Sequence, residues 1–127
     1  MRKVIATEHA PRAIGPYSQA IEAGDLVFCS GQIGIDPQSG QLAGPSAGEQ
    51  AARCIENLKA VLEAAGLGLG DVVKTTVFLT DMADFSAVNE AYAARFTGDP
   101  PARSAVAVAS LPKGAKVEIE AIAVRRS

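Results

Sequence analysis

The stretch KVEIEAIAV, residues 116–124, limits the possible folds more than any other part of the chain. Side chains alternate along an extended strand, so Val117, Ile119, Ala121 and Ala123 share one face and Glu118, Glu120, Ile122 and Val124 share the other. Both faces carry apolar residues. The same is true of residues 26–35 and 72–79. A sheet made of such strands has to be covered on both sides, and the helices available suffice for one.

Two segments read as helices. Ser46 followed by Glu49 is a capping-box signature. Beyond it Ala51, Ile55, Leu58, Leu62 and Ala65 form one apolar stripe at alternating spacings of four and three. Gly66 falls where a left-handed residue ends a helix. A second helix is predicted from about Asp84 to Thr97, with Phe85, Val88, Ala91, Tyr92 and Phe96 on one side and Gly98 as its stop. Strands are predicted at residues 3–6, on both sides of a turn at Ala23-Gly24-Asp25, and over residues 71–79. The last two strands, RSAVAVASL and KVEIEAIAVRR, are joined through Leu111-Pro112-Lys113-Gly114. This order predicts an α+β fold: a two-layer sandwich in which one mixed sheet carries both helices on one face. The other face then needs a partner surface, and a second copy of the chain is the candidate.

Composition narrows the function. At 127 residues the chain is expected to form a single domain, residues 1–127, with a proper core. Its 14 acidic and 12 basic residues give a net charge of -2, and the sequence lacks tryptophan. With no basic stripe and few aromatics, nucleic-acid binding is disfavoured. Cys29 and Cys54 lie far apart and His9 is the single histidine, too few soft ligands for a zinc site; both thiols are expected in the core and His9 on the surface. The N-terminal segment has no apolar signal-peptide run and no stretch reaches membrane-spanning length, so a cytoplasmic protein is expected.

The chemistry-bearing residues are Arg103, which opens one predicted strand, and Glu118 in the next. On pattern alone such a pair is more often a structural ion pair than a site. Hairpin pairing or a neighbouring subunit could bring the two around a small carboxylate. Glu120 shares the face of Glu118 and reads as a structural partner, of an arginine for instance. Tyr17 alone reads as a packed aromatic, Asn89 as an exposed helix residue, and Ser30-Gly31 as a strand irregularity, because glycine inside a strand marks a bulge or a close approach.

Taken together, IGPYSQA (14–20), SGQIGIDPQSG (30–40), AAGLGLGDVVKTTVFLTDMADFSAVNEAY (64–92), PARSAV (101–106) and VEIEAIAVRR (117–126) resemble the reactive intermediate deaminase family, also known as YjgF or RidA, over nearly the whole chain. The resemblance implies a chorismate-mutase-like fold, a homotrimer with active sites between subunits, and no metal or other cofactor. It also implies hydrolysis of 2-imino and enamine acids, released by pyridoxal-phosphate dehydratases, to 2-oxo acids and ammonia. By the same resemblance Arg103 grips the substrate carboxylate and Glu118 handles the attacking water, while Tyr17, Ser30, Gly31, Asn89 and Ala105 line the pocket. Two features depart from the family pattern: Ala105 stands where many members have cysteine, and the TGDPP loop (97–101) is short. A carboxylate-binding regulatory trimer without catalysis is the competing reading. An endoribonuclease, an activity attached to some members, is the weakest, given the acidic balance and the lone His9.

Overall fold

The structure is a computed structural model that describes residues 2–126. Six strands form one sheet: β1 (Arg2–Ile5), β2 (Ala20–Ala23), β3 (Leu26–Ile33), β4 (Val72–Leu79), β5 (Ala102–Ala107) and β6 (Val117–Val124). Their order across the sheet is β1-β2-β3-β6-β4-β5, antiparallel throughout except for the parallel pair β4–β5. Helices α1 (Ala47–Ala64) and α2 (Phe85–Arg95) pack together on one face of it. The predicted α+β sandwich is the observed architecture.

Local chemistry explains the helix ends. The Ser46 hydroxyl accepts from the Glu49 amide at 3.1 Å while the Glu49 carboxylate accepts from the Ser46 amide at 3.3 Å, the reciprocal cap the sequence predicts. Such a cap contributes about 1 kcal/mol. Gly66 ends α1 with φ +77°. Ala51, Ile55, Leu58 and Leu62 are wholly buried against β3 and β6, each large aliphatic side chain contributing roughly 1.5–3 kcal/mol by leaving water. Helix α2 is shorter than predicted at both ends: a 3-10 turn at Met82–Asp84 takes Asp84, and the backbone leaves the helix at Phe96, two residues before Gly98. A second such turn at Leu69–Asp71 removes Asp71 from the start of β4.

The last two strands do not form a hairpin. Strand β5 lies at the edge, paired with β4 in parallel through the α2 crossover, and β6 is inserted between β3 and β4. Two features set this apart from a hairpin: residues 108–116 are long for a tight turn, and Pro112–Gly114 form a 3-10 turn that lets the chain cross β4. This overturns the hairpin route for joining Arg103 to Glu118.

The alternation in β6 is realised as read. Val117, Ile119, Ala121 and Ala123 are buried under α1, and Glu118, Glu120, Ile122 and Val124 look out from the face that lacks helices. Along that face lie Val4, Ile21, Phe28 and Ile122, adjacent in register, with Val4 58% and Phe28 42% exposed. Cys29 and Cys54 are buried and unbridged, and burial pushes the Cys29 thiol up to about 12. His9 is exposed, as expected.

Candidate active site

The predicted site residues fall into two clusters. The first is built on a bulge. The β3–β6 register shifts between Cys29 and Gln32, so Ser30 and Gly31 leave the regular ladder. Ser30 uses this freedom to hold the preceding loop, its amide donating to Gln19 O at 2.9 Å and its hydroxyl to Ser18 O at 2.6 Å. The Ser30 hydrogen is thus engaged within the chain, and the residue positions the loop that carries Tyr17, which is 52% exposed. Gly31 makes room for Glu118: a methyl group at this position would overlap the Glu118 carboxyl. Tyr17, Gly31 and Glu118 line one cleft of about 530 Å³.

Burial, and secondarily the like charge of Glu120, hold the Glu118 carboxyl above the ordinary carboxylate value of 4.5. Glu120 itself is exposed and, among the described residues, has no arginine partner. Its role toward Glu118 is repulsion rather than the structural pairing expected.

The second cluster sits at the sheet edge around Arg103. Its Nη1 donates to Asn89 Oδ1 at 2.8 Å, and the guanidinium lies 4.9 Å from the Tyr92 ring centre and 5.4 Å from that of Phe85. Phe85, Asn89 and Tyr92 are spaced by four and three, one stripe of α2 facing the arginine. The Tyr92 hydroxyl is fixed in turn by Thr75 at 2.7 Å. Stacking orients the planar group, and among the described residues its remaining N–H groups make no bond, so the fork for a carboxylate stays available. Ala105, two residues on, points the same way and packs partly against the core. The sequence reading placed Phe85 and Tyr92 on one side of the helix but did not see in them a platform for Arg103; the signal was Asn89 between them on the same stripe.

These clusters do not meet within one chain. Arg103 is level with Thr75 and Ala121, which face the helices, whereas Glu118 is level with Phe78 on the opposite face and three positions further along β4. No Arg103–Glu118 ion pair forms.

Comparison with known proteins places the chain in a family. The sequence profile of the family described as Endoribonuclease L-PSP matches residues 7–125. The chain belongs to this family. A curated member from Salmonella typhimurium, named 2-iminobutanoate/2-iminopropanoate deaminase, is 56% identical over 99% of this chain and 100% of its own. A Mus musculus member of the same name is 54% identical over 98% of this chain and 93% of its own. The crystal structure of E. coli TdcF with bound serine superimposes with a TM-score of 0.94 at 50% identity, covering 98% of this chain and 99% of that one. The family resemblance read from the sequence and the fold it implied both hold. Among the described residues no helix is long and apolar enough to cross a membrane.

Proposed function

We propose that this protein hydrolyses small 2-imino acids to 2-oxo acids and ammonia, in sites completed between copies of the chain. The observation that carries the reading is the Glu118 carboxyl, held over Gly31 in an open cleft with its pKa raised. An imine carbon is electrophilic already, so hydrolysis asks for three things: a held substrate, a water aimed at the carbon, and a proton delivered to the leaving nitrogen. Glu118 in its carboxylate form takes a proton from water. The acid so formed returns it to nitrogen as the C–N bond of the tetrahedral adduct breaks, and its raised pKa brings both forms nearer to neutral pH. Arg103, pre-oriented by Asn89, Tyr92 and Phe85, is the carboxylate anchor. Ala105 borders the anchor, and Tyr17, placed through Ser30, borders the cleft.

Arg103 and Glu118 on opposite faces of one sheet make a composite site the natural arrangement: the acid of one copy with the anchor of the next. The exposed apolar face bearing Phe28 and Ile122 supports the same association, and three copies in a ring would give three equivalent sites. Such a protein would serve in the cytoplasm, downstream of pyridoxal-phosphate dehydratases that release these imines. The family's ribonuclease name finds less support, since the sequence has one histidine, exposed His9, and a net charge of -2. A carboxylate-binding trimer without chemistry would gain nothing from a second negative charge in the cleft.

The test adds purified protein to a threonine dehydratase reaction and follows 2-oxobutanoate and ammonia. Acceleration of imine hydrolysis, undiminished after exhaustive chelation, is expected. Unchanged hydrolysis would refute the activity, and a loss on chelation restored by zinc would refute the metal-free mechanism.

A further inference from the structure

The charge of the cleft over Glu118 is uneven. Two cations, Arg12 and Lys113, line it, and Glu118 is the one acidic residue in its wall. Neither cation is paired with an acid among the described residues. Neither is among the causes that shift the Glu118 carboxyl, which are burial and Glu120. Their charge is therefore not used within the chain.

Both are presented on fixed backbone. Arg12 follows Pro11, whose carbonyl accepts from Gln19 Nε2 at 2.8 Å, and buried Gln19 also donates to Thr7 O at 3.1 Å. Lys113 is held more tellingly. Among the described residues it is the one non-glycine with positive φ, at +57°, in a chain where six glycines take up the other such positions. A side chain in the left-handed region carries a backbone cost that glycine avoids, and residues kept there against that cost concentrate at ligand sites.

From the cleft and this cation pair we infer that the protein takes 2-imino acids bearing a second carboxylate on the side chain, with Arg12 and Lys113 receiving that carboxylate. The inference rests on the deaminase reading and specifies its substrate class. Water adds to the imine carbon and the C–N bond breaks, so a 2-imino diacid and water give a 2-oxo diacid and ammonia without oxidant or reductant. The reaction supplying such a substrate is the oxidation of an acidic α-amino acid at its C–N bond, which leaves the imine.

The test compares binding of 2-oxopentanedioate and 2-oxobutanoate to the assembled protein by calorimetry at low ionic strength. Hydrolysis of 2-iminopentanedioate, generated in place from L-glutamate by a flavin oxidase, is measured against that of 2-iminobutanoate. The diacid is expected to bind about tenfold more tightly, the amount two partly exposed charge contacts supply. That preference is expected to fall about threefold in Arg12→Gln or Lys113→Gly, to approach one in the double variant, and to fade at high salt. Lys113→Gly relieves the left-handed backbone, so its effect is not a loss of fold. Equal affinity for the two acids in the native protein, or a preference unmoved in the double variant, overturns the inference. A protein that hydrolyses 2-iminobutanoate without favouring the diacid overturns this inference alone. One that binds the diacid through both cations yet hydrolyses neither imine overturns the deaminase reading.

Discussion

The two faces of the sheet have nearly the same apolar character in sequence and opposite fates in the fold. On the helix face Val27, Val77, Val117 and Ile119 are wholly buried, and a single copy of the chain completes the core. On the other face Phe28, Val106 and Val4 keep 42–58% of their surface, and the cleft with Glu118 lies open beside them. One face is finished by the chain itself; the other stays open, and in the proposed assembly a second copy covers it. The acid of the proposed chemistry belongs to the unfinished face and its arginine to the edge of the finished one.

Neighbouring residues on β3 break this comparison most sharply. Val27→Asp buries an unpaired charge under α1 and should cost more than about 4 kcal/mol, a large part of a small domain's stability. Circular dichroism should show loss of the fold. Phe28→Asp, one residue on, should leave the dichroism intact and convert the oligomer to monomer in sedimentation, with activity lost alongside. A folded, active oligomer for Phe28→Asp would show that the exposed face is not the interface.

The next largest effects separate the two clusters. Arg103→Ala should abolish both 2-oxobutanoate binding and turnover, and Arg103→Lys should restore little, since a point charge does not reproduce the fork. Glu118→Gln should keep affinity within a small factor and depress turnover by ~10²–10⁴-fold. Calorimetry beside hydrolysis rates reads the split, and equal turnover by native protein and Glu118→Gln would remove the acid–base role.

The smallest effect concerns Glu120. Its carboxylate raises the Glu118 carboxyl, so Glu120→Gln should move it down toward, but not to, the ordinary 4.5, because burial is the larger cause. If the carboxylate form of Glu118 takes the first proton, activity falls as pH drops through its pKa. The acid limb of kcat/KM, corrected for spontaneous hydrolysis, should therefore shift to lower pH in this variant. A limb that stays in place would dissociate it from Glu118.

Much of this was legible in the residues. The capping box at Ser46, the stripe of α1 and the alternation of β6 are local periodicities, and local periodicity survives folding. Ser30-Gly31 announced its bulge because a glycine inside a strand has few other uses. The pairing of β5 was not legible, since the order of strands in a sheet depends on where α2 returns the chain and not on the residues of β5. The platform beneath Arg103 stayed hidden for a related reason. Aromatics on a helix read as core until the strand they face is known, and Lys113 looked like an ordinary turn residue until its φ was.

The central claim is that the acid and the anchor of one site belong to different copies of the chain. It is tested by co-assembling Arg103→Ala chains with Glu118→Gln chains, each nearly inactive alone. With random mixing in equal amounts, a site that joins Arg103 of one copy to Glu118 of the next is intact in about a quarter of cases, so roughly 25% of native activity should return. Activity no higher than that of the separate variants would place both residues of each site in a single chain and contradict the account.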